Sequence, residues 1–504
     1  MRKLAFCCLV FFLPATWIAA SERKEQLLED TWDAVYVEGV RAGFVHTRIT
    51  EVQNGDGKLR RAVTDLNLAV KRFGDAARLR MVTGDDETPE GQVVNVFMRH
   101  YQDNQVLLRM LGQVKDGEVH VTVLDRQGKV QQKKSNPWND RVIGIFGQER
   151  LYRDRKVKPG DVFSYQSFEP ELTAVFTTQV EVKDYESVRF SDRKVQRLLR
   201  VEAVADAQAG FQPPPLTLWL DAGGNILRTT FKMNGLGQLV LERTSRALAT
   251  RPTAGVDIGY RQLIPLDSQL PRGLDTQSAV YLITVSDEKN PGTTFARDDH
   301  QHVRNIGRES FELHIHPIAQ AASVSTYKRP DKKYLASNFF INSADERVRK
   351  LAREAVGAET DPWKKAEHIA RWVFRNIHKD YSVGFDPADR VARTLEGDCT
   401  EHSVLAAAMC RAVGVPSQVA IGLVYTVQHG GPVKGPVLAF HMWTEVWIDG
   451  QWRGIDPTMG GLVGAGHLKI TASAWDTPSL KPLLPLQRVL GKTRIKLVRV
   501  GDDD

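Results

Sequence analysis

Residues 397–416 read Gly397-Asp398-Cys399-Thr400-Glu401-His402-Ser403-Val404-Leu405-Ala406-Ala407-Ala408-Met409-Cys410-Arg411-Ala412-Val413-Gly414-Val415-Pro416. Asp398 is a natural helix N-cap and Glu401, three residues on, completes a capping box. Val404, Leu405, Ala408, Met409 and Ala412 then form an apolar stripe, and Gly414 and Pro416 stop the helix. Cys399 therefore stands in the first helical turn, where the macrodipole and unpaired backbone N–H groups favour a thiolate and lower the thiol pKa. The same N–H groups suit an oxyanion. Cys410, further along among alanines, reads as an inert core thiol.

A nucleophilic cysteine needs a base, and the base an orienting group. Leu438 to Ile448 read as a strand, Asp449-Gly450 as a two-residue hairpin turn, and Gln451 to Asp456 as the returning strand. Counting back from Ile448 opposite Gln451 sets Asp456 opposite Trp443. His441 and Asp456 thus become diagonal neighbours on one face, within side-chain reach. His402, at i+3 from Cys399, is the rival base or a supporting group, but no orienting acid is evident for it. Glu445 lies on the face of His441 yet about 13 Å along the strand, and reads as a surface or ion-pairing residue.

Three ordered motifs, Gly-Asp-Cys-Thr-Glu-His around Cys399, Phe-His-Met-Trp-Thr-Glu-Val around His441 and Ile-Asp-Pro-Thr around Asp456, resemble those of the transglutaminase-like superfamily. The run from Cys410 to Pro416 is similar to that family's helix end. The resemblance covers 343 to 460 and implies an α+β fold, a papain-like core of helices on an antiparallel sheet. It further implies a triad with Cys399 as nucleophile, His441 as base and Asp456 as orienter, acting through a thioester without metal or organic cofactor. Members include transamidases, proteases and amidases, so the acceptor stays open. For the family's oxyanion donor upstream of the cysteine, Trp363, Trp372 and Tyr381 are the candidates.

Outward from this core, Ser343 and Glu346 read as a capping box opening a helix that Gly357 ends, and Asp361-Pro362 opens a second helix. Upstream, two β-rich regions are expected. Residues 21–250 alternate as antiparallel strands, as in Val119, Val121, Val123 and in Leu216, Leu218, Leu220. They read as an accessory domain, with a lipid- or peptide-binding role as the alternative. Residues 251–340 form the second region, 341–470 the catalytic domain, and 471–504 a tail packing on the core. Glu312, His314 and His316 share a strand face, with Asp298, Asp299, His300 and His302 nearby in sequence. No ligand spacing of a known metal site is present, so the wet face of an edge strand is the expectation and no metal is assigned.

The 504 residues suffice for several domains with real cores. The net charge is +7, but 68 Lys+Arg face 61 Asp+Glu with signs interleaved, and no basic-aromatic block points to nucleic acid. Residues 1–20 read as a cleaved secretory signal: Arg2 and Lys3, an apolar run from Leu4 to Leu13, Pro14, then small residues at 19–21. An uncleaved membrane anchor is the rival, but the broken apolar run falls short of the roughly 20 residues a spanning helix needs. Cys7 and Cys8 would leave with the signal. Cys399 and Cys410 on one helix lie about 16 Å apart, too far for a disulfide at about 5.5 Å.

The reading is an exported cysteine acyl-transfer enzyme that hydrolyses peptide or isopeptide amides of a protein or peptide substrate. It would be periplasmic, extracellular or associated with the cell envelope. The alternatives are a non-catalytic envelope binding protein, whose β-rich region does the work, and a protein-crosslinking transamidase.

Overall fold

The structure, a computed structural model, describes residues 25–55, 57–102, 105–208, 211–317, 330–382 and 384–501. The segment read as an export signal, with Cys7 and Cys8, lies outside them. Among the described residues no helix is long and apolar enough to cross a membrane. The chain is α+β and β-rich, with a C-terminal domain of helices on an antiparallel sheet preceded by β sheet.

Among the described residues the N-terminal region builds one 15-stranded sheet. Two antiparallel meanders, from Gln26–Val37 out to Val130–Pro137 and from Gly237–Thr244 out to Val162–Glu169, meet where Gln26–Val37 pairs with Gly237–Thr244. Alternation decides which face is inside: Val119, Val121 and Val123 are all buried while their neighbours are not. The helix Ile145–Arg155 begins after Gly144, which has no side chain to cap it. Strand Asp75–Glu87 supplies the cap instead: Asp85 Oδ2 accepts from the Ile145 N–H at 2.7 Å and Glu87 Oε1 from the Phe146 N–H at 3.1 Å.

Strands Gly57–Arg72 and Asp75–Glu87 are joined by the two-residue turn Phe73-Gly74. Both turn residues hold positive φ, 54° and 99°, as a tight hairpin that follows the sheet twist requires. Gly74 takes this conformation freely and Phe73 does not. This tip reaches the C-terminal helix-on-sheet domain.

There, helices Glu346–Val356, Pro362–Asn376, Ala388–Thr394 and Cys399–Ala412 pack on a sheet ordered Gly461–Leu462, Gln451–Asp456, Gly435–Ile448, Ser417–Gln428, His467–Ser473. The first helix is capped by Asp345, not Ser343: the Asp345 carboxylate accepts from the N–H groups of Arg347 and Val348 at 2.9 and 3.2 Å. Asp345 directly precedes the first helical residue and is the stronger acceptor, so it takes the site. The helix Cys399–Ala412 departs from a one-sided stripe, because every residue from Cys399 to Arg411 is buried. Helices flank it on one side and strands Ser417–Gln428 and Gly435–Ile448 on the other, so even Arg411 lies inside, donating to the carbonyls of Ser417 and Ala474.

In the stretch 251–340, strand Ala279–Val285 pairs on one side with Ser310–Ile315 and on the other with Thr493–Val500. The strand carrying Glu312 and His314 is not an edge: Gln301–Arg304 lies on its far side. Its period-two pattern was compatible with either position, and the short neighbouring strand Gln301–Arg304 decided it. A single apolar core runs from Met110 and Val119 of the N-terminal sheet through Phe311 and Phe340 to Leu405 and Trp475. The N-terminal sheet is thus packed against the rest through apolar surface.

Candidate active site

The site is built from a helix start and a hairpin. Gly397 holds φ 147°, and a Cβ there would come within 2.3 Å of the Glu401 Cβ, so only glycine admits the capping box. Asp398 Oδ1 accepts from the Thr400 N–H at 2.7 Å, and Glu401 Oε2 from the Asp398 N–H at 3.0 Å. Glu401 Oε1 also accepts from the Asp386 N–H at 3.0 Å, which ties the preceding loop to the helix start. Cys399 follows, 8% exposed.

The hairpin Gly435–Ile448 to Gln451–Asp456 has Ile448 opposite Gln451 and Thr444 opposite Ile455. That register puts His441 beside Asp456, and the His441 Nε2–H donates to Asp456 Oδ2 at 2.8 Å. The other His441 nitrogen makes no bond to Asp456, and the imidazole is coupled electrostatically to the Cys399 thiol. Asp456 is fully buried and its Oδ1 accepts from the N–H groups of Thr458 and Met459 at 2.8 and 3.0 Å.

Burial opposes charge on both groups, yet their mutual attraction wins. His441 is pushed up to about 10, because the Asp456 carboxylate and its hydrogen bond, then the thiol, outweigh desolvation. The Asp456 carboxyl is held far below the usual carboxylate range by His441 and by His467, against its own desolvation. The Cys399 thiol departs from expectation. Burial and the adjacent Asp398 push it up, His441 and Arg72 pull it down, and the balance is upward. Position at a helix start indicated the opposite; closure of the site over the sulfur, which sequence spacing does not report, reverses it. Cys410 is fully buried and pushed up to about 12 by desolvation.

His467 was not indicated by sequence. It heads the strand His467–Ser473, separated in the sheet from the strand of Asp456 by two others, and its Nε2–H donates to the same Asp456 Oδ2 at 3.0 Å. No local pattern links it to the hairpin; only the sheet order does. His402 is buried with its Nδ1 on the Asp398 carbonyl at 2.6 Å and with no acid beside it in the manner of His441. Glu445 is an ion-pairing residue but not on the surface: it is buried, 2.5 Å from Lys469 Nζ and 2.8 Å from Gln418 Nε2.

Of the aromatic candidates, Trp363 stacks under Arg453 and the Trp372 indole N–H points to Glu354 at 3.4 Å, away from the thiol. Tyr381 is the one coupled electrostatically to Cys399 and Asp398; burial, then those two groups, raise its hydroxyl. Among the described residues, the group of three acid or imidazole side chains with ligand atoms within 4.8 Å of one another is His441, Asp456 and His467. Both imidazole N–H groups already donate to one Asp456 oxygen, so this set is committed to hydrogen bonds. Within the 298–316 cluster, Glu312 accepts from His314 at 2.9 Å and Asp298 pairs with Lys469.

The N-terminal sheet also enters the site. Arg72, at the end of strand Gly57–Arg72, pairs with Asp398 Oδ2, and Phe73 meets the Tyr381 ring edge-on with centroids 5.4 Å apart. A mainly apolar cleft of about 250 Å³, with Val70, Arg72, Leu79, Phe385 and Phe440 among its lining residues, runs between sheet and domain.

Residues 349–457 match the sequence model of the transglutaminase-like superfamily, and this stretch is a transglutaminase-like domain. An uncharacterized protein of Haemophilus influenzae is 32% identical over 97 residues, 18% of this chain and 26% of that protein. The chain therefore spans about a quarter of the length of the curated relative it matches. Among solved structures, a candidate cysteine protease of Cytophaga hutchinsonii is similar at 15% identity and TM-score 0.28, covering 45% of this chain and 89% of that one. A β-barrel-like protein of a domain of unknown function from Brucella abortus is similar at 13% identity and TM-score 0.29, over 43% and 95%. The periplasmic domain of TgpA from Pseudomonas aeruginosa is similar at 16% identity and TM-score 0.23, over 37% and 92%.

Proposed function

We propose that the protein is an exported cysteine acyl-transfer enzyme that hydrolyses peptide or isopeptide amides through a thioester. The observation that carries this reading is His441, hydrogen-bonded to the buried Asp456 carboxylate at 2.8 Å and coupled electrostatically to the Cys399 thiol. Asp456 raises the basicity of His441, which equips the imidazole to hold the thiol proton.

In the cycle, His441 takes the thiol proton as Cys399 Sγ bonds to the amide carbonyl carbon. The carbonyl oxygen becomes an oxyanion at the first-turn N–H groups of the helix, beside Tyr381. The intermediate expels the amine, which receives the proton from His441, and leaves a thioester on Cys399. Water then gives a proton to His441 and its hydroxide attacks the thioester; the acid departs and the sulfur regains its proton. Hydrolysis is favoured over crosslinking because water greatly outnumbers amines outside a cell.

The test is Cys399→Ala in the full chain, assayed on a panel of peptide and isopeptide substrates. Loss of turnover with an unchanged melting transition is expected. Turnover that survives intact overturns the reading.

A further inference from the structure

The inference concerns Arg72, which no motif of the transglutaminase-like stretch contains and which arrives from the N-terminal sheet. Its guanidinium pairs with Oδ2 of Asp398, a carboxylate whose side chain is fully buried and which immediately precedes Cys399. An uncompensated carboxylate there would oppose a thiolate on the neighbouring residue and would itself be costly to bury.

Arg72 is held in place rather than tethered loosely. Asp257 accepts from the N–H groups of Phe73 and Gly74 at 3.2 and 2.8 Å, and the Ile258 N–H donates to the Lys71 carbonyl at 2.8 Å. Phe73 is gripped between the rings of Tyr260 and Tyr381, at 5.3 and 5.4 Å. A side chain fixed on both flanks presents its charge without a reorganisation cost.

Resting on the acyl-transfer reading above, we propose that Arg72 is a positioning residue of the site: by pairing with Asp398 it offsets the carboxylate beside the thiol, so that the N-terminal sheet completes the active site. The groups that bear on the sulfur are then Asp398 and Glu401 on its own helix, His441 with Asp456 behind it on the hairpin, Tyr381 on the preceding loop, and Arg72 on the N-terminal hairpin. Of these, His441 and Arg72 are the cations assigned to favour the thiolate. His402, on the same helix, is held uncharged by burial against the pull of Asp398.

The experiment is the iodoacetamide alkylation rate of Cys399 against pH in the full chain, read by peptide mass spectrometry with Cys410 as internal control. Arg72→Gln is expected to move the midpoint up by about one pH unit. Arg72→Lys should stay near the wild type, and Arg72→Gln combined with Asp398→Asn should cancel most of the shift. An ion pair that only anchored the sheet would not produce this pattern. A midpoint that is the same in Arg72→Gln and wild type overturns the inference. If Arg72→Gln does not fold, Asp398→Asn decides: a lower midpoint supports the inference, and an unchanged or higher one overturns it. Should wild-type Cys399 react no faster than Cys410, the acyl-transfer reading falls, and that result is distinct from failure of the Arg72 arm.

Discussion

His441 and His467 donate to the same oxygen, Oδ2 of Asp456, at 2.8 and 3.0 Å. One carboxylate oxygen thus holds an imidazole from each of two strands. Each bond fixes the carboxylate against rotation, and the pair keeps it ionised in a fully buried position.

Replacing His467 with Ala removes one of these bonds without touching Cys399. Asp456 then holds His441 less firmly, and turnover is expected to fall about tenfold with little change in KM. His467→Gln, which can still donate, should recover most of it. Steady-state kinetics of the two variants check this.

Asp456→Asn keeps the shape but removes the charge that raises His441. The basicity of His441 falls toward its ordinary value, and alkylation of Cys399 at pH 7 should slow at least about tenfold. Cys410, pushed up to about 12 in the core, should remain unreactive until the chain unfolds.

Stability should depend on pH through the same pair. His441 is raised from 6.5 to about 10, so its contribution is complete below pH 6.5 and is lost as pH rises toward 10. Asp456 is lowered from 3.8, so its contribution is present above that value and lost as pH falls below it. Urea midpoints across pH should therefore decline on both sides. His441→Gln should flatten the alkaline limb, which is worth a few kcal/mol at most.

Gly397→Ala is expected to destabilise the fold by about 2 kcal/mol or more. The new Cβ meets the Glu401 side chain, and the φ of 147° disfavours any L residue. A lowered denaturation midpoint together with loss of Cys399 reactivity would show that the capping box positions the thiol.

The core of the site was legible because it is local. Asp398 with Glu401 is a short-range signature, and the Asp449-Gly450 turn sets the register that brings His441 to Asp456. His467 and Arg72 were not legible, since each reaches the site through strand order or sheet docking that no nearby residue announces. The strand Ser310–Ile315 was misplaced at an edge for a different reason: its outer partner Gln301–Arg304 is only four residues long and carries no clear strand pattern. The direction of the Cys399 shift failed for a related reason: helix position is written in sequence, whereas coverage of the sulfur is a tertiary property. The N-cap at Asp345 instead of Ser343 was a local ambiguity between two acceptors two positions apart.

Strands Ala279–Val285 and Thr493–Val500 lie side by side, yet in the chain they bracket the whole stretch 349–457. A chain emerging from its N-terminus delivers Cys399, His441 and Asp456 before the strand that covers the flank of Ala279–Val285. Until it emerges, that flank is an open row of unpaired N–H and C=O groups beside fully buried Tyr281 and Ile283. Pairing across so long an interval is slow to close. Closure of this sheet therefore waits on a strand that follows Cys399, His441 and Asp456 in the chain.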